Sequence, residues 1–376
     1  MQSPLMAWFD MQAPVFAFSH CRDVVAAVSR AGGFGVLGTT HVTPEQLELE
    51  LTWLDEHTNG RPYGVDVMFA SRPLEGSEQL SVTDIERVIP EENRRFVNEL
   101  LARYDVPELS EADSQALLEE YMGGLLRTHA EAVRRLDVVF RHPQHIKMIV
   151  SALGVPPVDQ IERAHALDMK VGAMVGQVRH VPYHLQANVD VLIAAGYEAA
   201  GHNSDVATLV LTPQIVDAAG STPVIHAGGV ARGRQIAAAL ALGAQAVWTG
   251  TLWLGTAEAE TSELIKRKIF AASSADTVRS SANTGKPTRR LTSAWTEAWR
   301  SPDAPAPLPK PLQSILINEA LDRIDKYEPE PLVTYPAGKA VGMLTEKTDV
   351  RTLMYELLAE FGETLERLQG DFGGEA

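Results

Sequence analysis

The sequence predicts an α/β fold: a closed (β/α)8 TIM barrel with a helical insertion after the third strand and an additional, mainly helical C-terminal region. Three features predict it. Eight short, mostly apolar runs lie between residues 13 and 249, with helix-like stretches between them. Runs of that kind mark strands of a parallel sheet buried on both faces. The last two runs, 223–227 and 246–249, end in small residues, Gly228-Gly229 and Gly250-Thr251, and an alanine-rich helix (235–242) joins them. This βαβ unit has two exits whose backbone can approach an anion closely. A phosphate site is common at that place in such barrels. Finally, the alternation stops after residue 260.

In chain order, the first strand is 13–18, entered from Pro14, and a helix over 22–31 ends at Gly32-Gly33. The second strand is 34–38. Gly33-Phe-Gly-Val-Leu-Gly38 has the spacing of a dinucleotide fingerprint, but it follows a helix and opens a strand, the reverse of the required context. Thr43-Pro44 starts a helix with Leu47, Leu51 and Leu54 on one face. The third strand, 63–69, has Asp66 at its middle. Residues 70–145 are acidic, helical at 90–104 and 113–135, and too long for a barrel loop, so they read as an excursion over the barrel mouth. Strands resume at 147–151, 171–175 and 189–194, with a helix at 158–167 between the first two. Residues 1–260 thus form the barrel. Residues 261–376 add a helix (261–272), a polar stretch (277–290), Trp295 and Trp299, a proline-rich run (302–311), a helix (313–326), a loop (333–343) and a last helix (350–368). In that last helix Leu353, Leu357, Phe361, Leu365 and Leu368 read as a core-facing stripe.

The 49 acidic residues outnumber the 33 basic ones, giving a net charge of −16, which argues against nucleic acid or an anionic membrane as partner and leaves a small molecule. The single cysteine, Cys21, excludes an intramolecular disulfide and fits a reducing compartment; with its small size it reads as a buried apolar residue. The first twelve residues show no signal-peptide pattern, and no window approaches the ~20 apolar residues of a membrane span. A cytoplasmic location is expected.

One histidine stands out by position. His202 follows Gly201 just beyond the sixth strand, on the face where barrel active sites lie, and an imidazole can exchange a proton near neutral pH. His142-x-x-His145 and His180-x-x-x-His184 are spaced like metal ligands, but Pro143 and Pro182 break the helices that would align them, so no metal is expected. Arg232 and Arg234 follow the double glycine and could reach a phosphate or serve as solvated helix-start residues.

Together, Ala27-Val-Ser-Arg-Ala-Gly-Gly-Phe-Gly35, Arg61-Pro-Tyr-Gly-Val-Asp66, Glu198-Ala-Ala-Gly-His202, Ala227-Gly-Gly-Val-Ala-Arg-Gly233 and Ala239-Leu-Ala-Leu-Gly-Ala-Gln-Ala-Val-Trp-Thr-Gly-Thr251 resemble the nitronate monooxygenase family, formerly the 2-nitropropane dioxygenases. Beyond Glu260 the likeness narrows to Asn283-Thr284 and Tyr335-Pro-Ala-Gly338. The resemblance implies an FMN-binding barrel. Its phosphate would rest on Gly228, Gly229, Gly250 and Thr251, next to Ala227. Flavin contacts would fall at Phe16, Ala17, Asp66, Met174, Ala200, Gly201 and Trp248, with His202 as the catalytic base. The chain departs from the family's frequent residues at Asp66 (asparagine), Met174 (lysine), Trp248 (glutamine) and Phe16 (methionine). The implied activity is oxidation of alkyl nitronates with O2. Two alternatives are an NAD(P)H-dependent flavin reductase acting on a quinone or an enoyl thioester, and a non-catalytic flavin-binding protein. The oligomeric state is not legible.

Overall fold

The computed structural model describes residues 3–40, 42–69, 87–126 and 128–372. Eight parallel strands close into a barrel: β1 (Val15–Ser19), β2 (Phe34–Gly38), β3 (Tyr63–Val67), β4 (Ile146–Ser151), β5 (Lys170–Val175), β6 (Val191–Ala195), β8 (Val224–Ala227) and β9 (Ala246–Thr249). The ring closes where Phe16 of β1 lies opposite Trp248 of β9. Each strand matches one of the apolar runs to within a few residues.

The barrel is filled, not hollow. Phe16, Phe34, Met148, Ile193, Ile225 and Ala246 belong to one buried interior cluster, and the Pro4–Trp8 helix adds Leu5 to it, with Phe9 just beyond. The Phe9 and Phe34 rings lie 5.8 and 5.2 Å from that of Phe16. Burying such a side chain contributes about 1.5–3 kcal/mol. The Gly33–Gly38 motif is β2 itself with its preceding residue. A Cβ on Gly35 would stand 2.4 Å from the Val25 carbonyl, so this glycine serves close packing of helix on strand.

The insertion and the C-terminal region share a second core. Val97, Leu100 and Leu101 of the Glu91–Arg103 helix pack with Trp295, Trp299, Ile317 and Ile324. Helices Glu111–Leu126 and Thr128–Val139 complete the described part of the insertion; the rest of the excursion, 70–86, lies outside the described residues.

The region after 260 has the three expected helices, Glu263–Ala271, Leu312–Tyr327 and Val350–Phe372, and also a small sheet not expected from the sequence. The stretch read as merely polar holds β10 (Thr277–Ser280) and β11 (Thr288–Leu291), an antiparallel pair. β11 also pairs with a two-residue strand, β7 (Gly201–His202). Polar side chains such as Arg289 and Arg290 hide these strands from a search for apolar runs. The last helix, Val350–Phe372, uses only part of its stripe: Leu357 is buried, whereas Leu365 and Leu368 are 45% and 39% exposed. Its anchor is the Gly233–Ala241 helix, where Glu360 accepts from the Gly233 N–H (2.7 Å) and pairs with Arg234.

Candidate functional site at the barrel mouth

The two glycine exits stand side by side because β8 and β9 are neighbours. Gly228 (φ 132°) and Gly229 (φ 77°) take backbone conformations that side chains disfavour. A Cβ on Gly228 would also lie 2.7 Å from Thr208 Oγ1. Gln235 then folds back over the turn. Its Oε1 accepts from the N–H groups of Ala231 and Arg232, and its Nε2 donates to the Gly229 carbonyl at 2.7 Å. The N–H groups of Gly228, Gly229, Gly250 and Thr251 find no acceptor among the described residues. Neutral donors left over at two adjacent strand ends suit an anionic phosphate.

A segment from the C-terminal region straps both sides of this mouth. The Gly338 N–H donates to Thr251 Oγ1 (2.8 Å), and the Lys339 N–H donates to the Glu198 carbonyl (2.9 Å). A side chain on Gly338 would strike that carbonyl at 2.6 Å. Glu198 in turn accepts from the Thr208 N–H at 2.8 Å, satisfying the start of the Thr208–Ala219 helix. The Tyr335–Gly338 motif therefore touches the loop that carries His202 and the exit after β9.

His202 lies opposite Thr288 in the small sheet. Its Nδ1 is 3.3 Å from the Pro287 carbonyl. A carbonyl only accepts, so Nδ1 carries the hydrogen and Nε2 keeps a lone pair. Burial, then the charges of Lys310 and Lys286, hold the ring's pKa below the usual histidine value, against the opposing pull of the Pro287 carbonyl. The ring is therefore neutral at pH 7 and able to take a proton.

The remaining residues singled out in the sequence do not stand alike. Ala200 and Gly201 are half-buried on the His202 loop, and Ala227 is buried at the end of β8. Trp248, 7% exposed, stacks with Phe16 and with Phe18, both at 6.2 Å. Met174 is half-buried on the edge of the same interior cluster. Phe16 and Ala17 have no exposed surface: Phe16 points into the barrel interior, and Ala17 packs in the outer layer. Neither offers an exposed atom to a ligand, backbone included, and the Phe16 carbonyl accepts from Thr249 Oγ1. Phe18, two residues on, is the half-buried aromatic at the mouth. Its carbonyl is the nearest atom, 4.0 Å away, to a Cβ built on Gly250. Period-two alternation from Phe16 was the signal that could have found it.

Of the two arginines, Arg234 is spent on Glu360, while Arg232 lines an open surface cleft with Gln235 and Met343. His142 is bonded to Asp55 at 2.6 Å. The Cys21 thiol is buried and donates to the Glu258 carbonyl.

The nitronate monooxygenase family model matches residues 4–360. The chain belongs to the nitronate monooxygenase family. It is 48% identical to Rv1533 of Mycobacterium tuberculosis, provisionally named a monooxygenase, over 98% of this chain and 99% of that one. It is 28% identical to a probable nitronate monooxygenase of Staphylococcus saprophyticus, over 80% of each. Among solved structures, nitroalkane oxidase from Streptomyces ansochromogenes superposes with a TM-score of 0.80 at 26% identity, covering 97% of this chain and all of that one. FabK from Thermotoga maritima (TM-score 0.70, 22% identity, 99% and 100% covered) shares the fold. This member of the nitronate monooxygenase family is thus a flavin-dependent oxidoreductase acting on a small molecule. No helix among the described residues is long and apolar enough to cross a membrane.

Within this family member, Asp66 is the departure with a physical consequence. Its side chain is 4% exposed and burial pushes its pKa up to about 7, against a weaker opposing hydrogen bond from the Ala152 backbone. Below that pH the group is a neutral acid. Between the ordinary carboxyl pKa and about 7 the folded chain holds a proton that the unfolded chain has lost, so stability falls as pH rises through that window. Asp66→Asn keeps the shape and an acceptor for Ala152 while removing the titration. The variant is expected to melt a few degrees above wild type at pH 8, with the gap narrowing at pH 5. An equal gap at both pH values, read by thermal melting, would contradict this placement of the carboxyl.

Proposed function

We propose that the protein oxidises alkyl nitronates with FMN and O2, and that His202 is its base. The observation that carries this reading is the pairing of a neutral His202, its Nε2 free to accept, with two anion-ready strand exits joined to its loop by the Gly338 strap. The donor set fits FMN: Gly228, Gly229, Gly250 and Thr251 would hold the phosphate through backbone N–H groups. Ala227, Ala200, Gly201, Met174, Asp66 and Trp248 would border the ring, while Phe16 and Ala17 would support it from below without an exposed surface of their own.

When bound, FMN would supply the electron acceptor that O2 reoxidises. The chain's own part is proton transfer and positioning. With a nitroalkane, the hydrogen on the carbon bearing the nitro group goes to His202 Nε2 while the Pro287 carbonyl steadies the imidazolium through Nδ1–H. With a preformed nitronate no proton need leave, and a protonated His202 would hold the anion. Helices of the insertion and the C-terminal region would keep water from the reacting carbon.

The test compares two reactions of purified protein in stopped flow and under air. Nitronate-dependent O2 uptake, with only slow bleaching of the flavin by NADH, is the expected result. Fast bleaching by NADH or NADPH with no nitronate turnover would reject this reading in favour of a reductase.

A further inference from the structure

The rim beside His202 is basic in a chain whose net charge is −16. Apart from burial, what lowers the His202 pKa is the presence of Lys310 and Lys286, which lie far from it in sequence. The fold brings them there. Thr288 of β11 pairs opposite His202, which places the Pro287 carbonyl on the ring and Lys286 one residue further out. The same turn is pressed onto residues 308–310: a Cβ on Gly285 would lie 2.5 Å from both the Leu308 carbonyl and the Lys310 nitrogen. Backbone contact thus fixes the two lysines on one rim, and both side chains are exposed.

No acid balances them among the described residues. The lysine ion pairs there involve Lys170, Lys266 and Lys347, and the charge acting on Lys310 is that of Lys286. Two like charges held together without a counter-charge repel, and an anion between them relieves the repulsion. Lysine is a point charge with rotatable donors, suited to carboxylate or phosphate oxygens. Resting on the placement of the reaction at His202, we propose that Lys286 and Lys310 form an anion-docking pair that holds a carboxylate or phosphate on the substrate or co-substrate while its reacting end lies at His202. The pair selects molecules with a permanent negative charge a few bonds from the reacting atom over uncharged ones.

The experiment is calorimetric titration of the purified full-length protein, with saturating FMN filling the phosphate exits. Butanedioate and inorganic pyrophosphate are the probes, and wild type is compared with the Lys286→Ala/Lys310→Ala double variant. Wild type is expected to bind at least one probe, more weakly as salt rises. The double variant is expected to bind it about tenfold more weakly, and the Lys286→Arg/Lys310→Arg variant to retain binding. Preference for butanedioate assigns the pair to a carboxylated substrate; preference for pyrophosphate assigns it to a phosphate-bearing co-substrate. Wild type that binds neither probe, or a double variant that binds as wild type does, overturns the proposal. Neither readout needs turnover, so a failure of nitronate oxidation would show separately.

Discussion

Replacing His202 by asparagine is expected to cut turnover of a nitroalkane by about 10²–10⁴-fold, the usual range for loss of a positioned general base, while FMN stays bound. Turnover of the same compound supplied as its nitronate should fall far less, because no carbon–hydrogen bond is then broken. The pH profiles carry the same distinction. The His202 pKa is held below the usual histidine value, chiefly by burial. Nitroalkane oxidation needs the neutral ring, so its rate is flat at neutral pH and falls as pH drops through that lowered pKa. The nitronate reaction gains from the protonated ring, so its rate rises over the same drop. Both slopes should vanish in the variant. Equal losses for nitroalkane and nitronate would show that His202 positions the substrate without acting as its base.

The second large effect is expected at Gly250. Its φ of −135° lies outside the left-handed region, and the nearest atom to a Cβ there is 4.0 Å away. Gly250→Leu should therefore fold while its side chain intrudes on the exit meant for the phosphate. FMN affinity is expected to fall by about a hundredfold, the equivalent of roughly 3 kcal/mol, with little change in the melting temperature of the apoprotein. Gly228→Val is a less discriminating probe, because its Cβ would collide with Thr208 and the backbone is already strained there. A Gly250→Leu protein that remains as yellow as wild type would show that the phosphate rests elsewhere.

The sequence reveals the barrel and the His202 loop for the same reason: each is written in consecutive residues. A short, mostly apolar run marks a buried strand whatever its partners are, and all eight barrel strands overlap such runs, several of them bounded by glycine. Which residues on such a strand face inward is harder to read. With both faces buried, apolar residues occupy every position. Alternation puts Phe18 on the same face as Phe16, but the run 13–18 does not say which of them lies deep in the barrel and which at its mouth. Long-range contacts are illegible for another reason. The bond from Gly338 to Thr251 spans 87 residues, and the pairing of Gly201–His202 with Thr288–Arg289 joins a two-residue strand to a polar one. Neither leaves a local pattern. The last helix shows the opposite error: a regular leucine stripe implied burial along its length, but its second half runs past the Gly233–Ala241 helix and leaves Leu365 and Leu368 exposed.

The central claim, that the two strand exits grip the phosphate of a flavin beside His202, is tested most directly by comparing FMN with riboflavin in equilibrium binding to the apoprotein. The two ligands share the ring and the sugar-like chain and differ in the phosphate alone. Hydrogen bonds from backbone N–H groups to a charged oxygen contribute about 1.5–3 kcal/mol each, so FMN is predicted to bind about a hundredfold or more tightly. Equal affinities for FMN and riboflavin would contradict it.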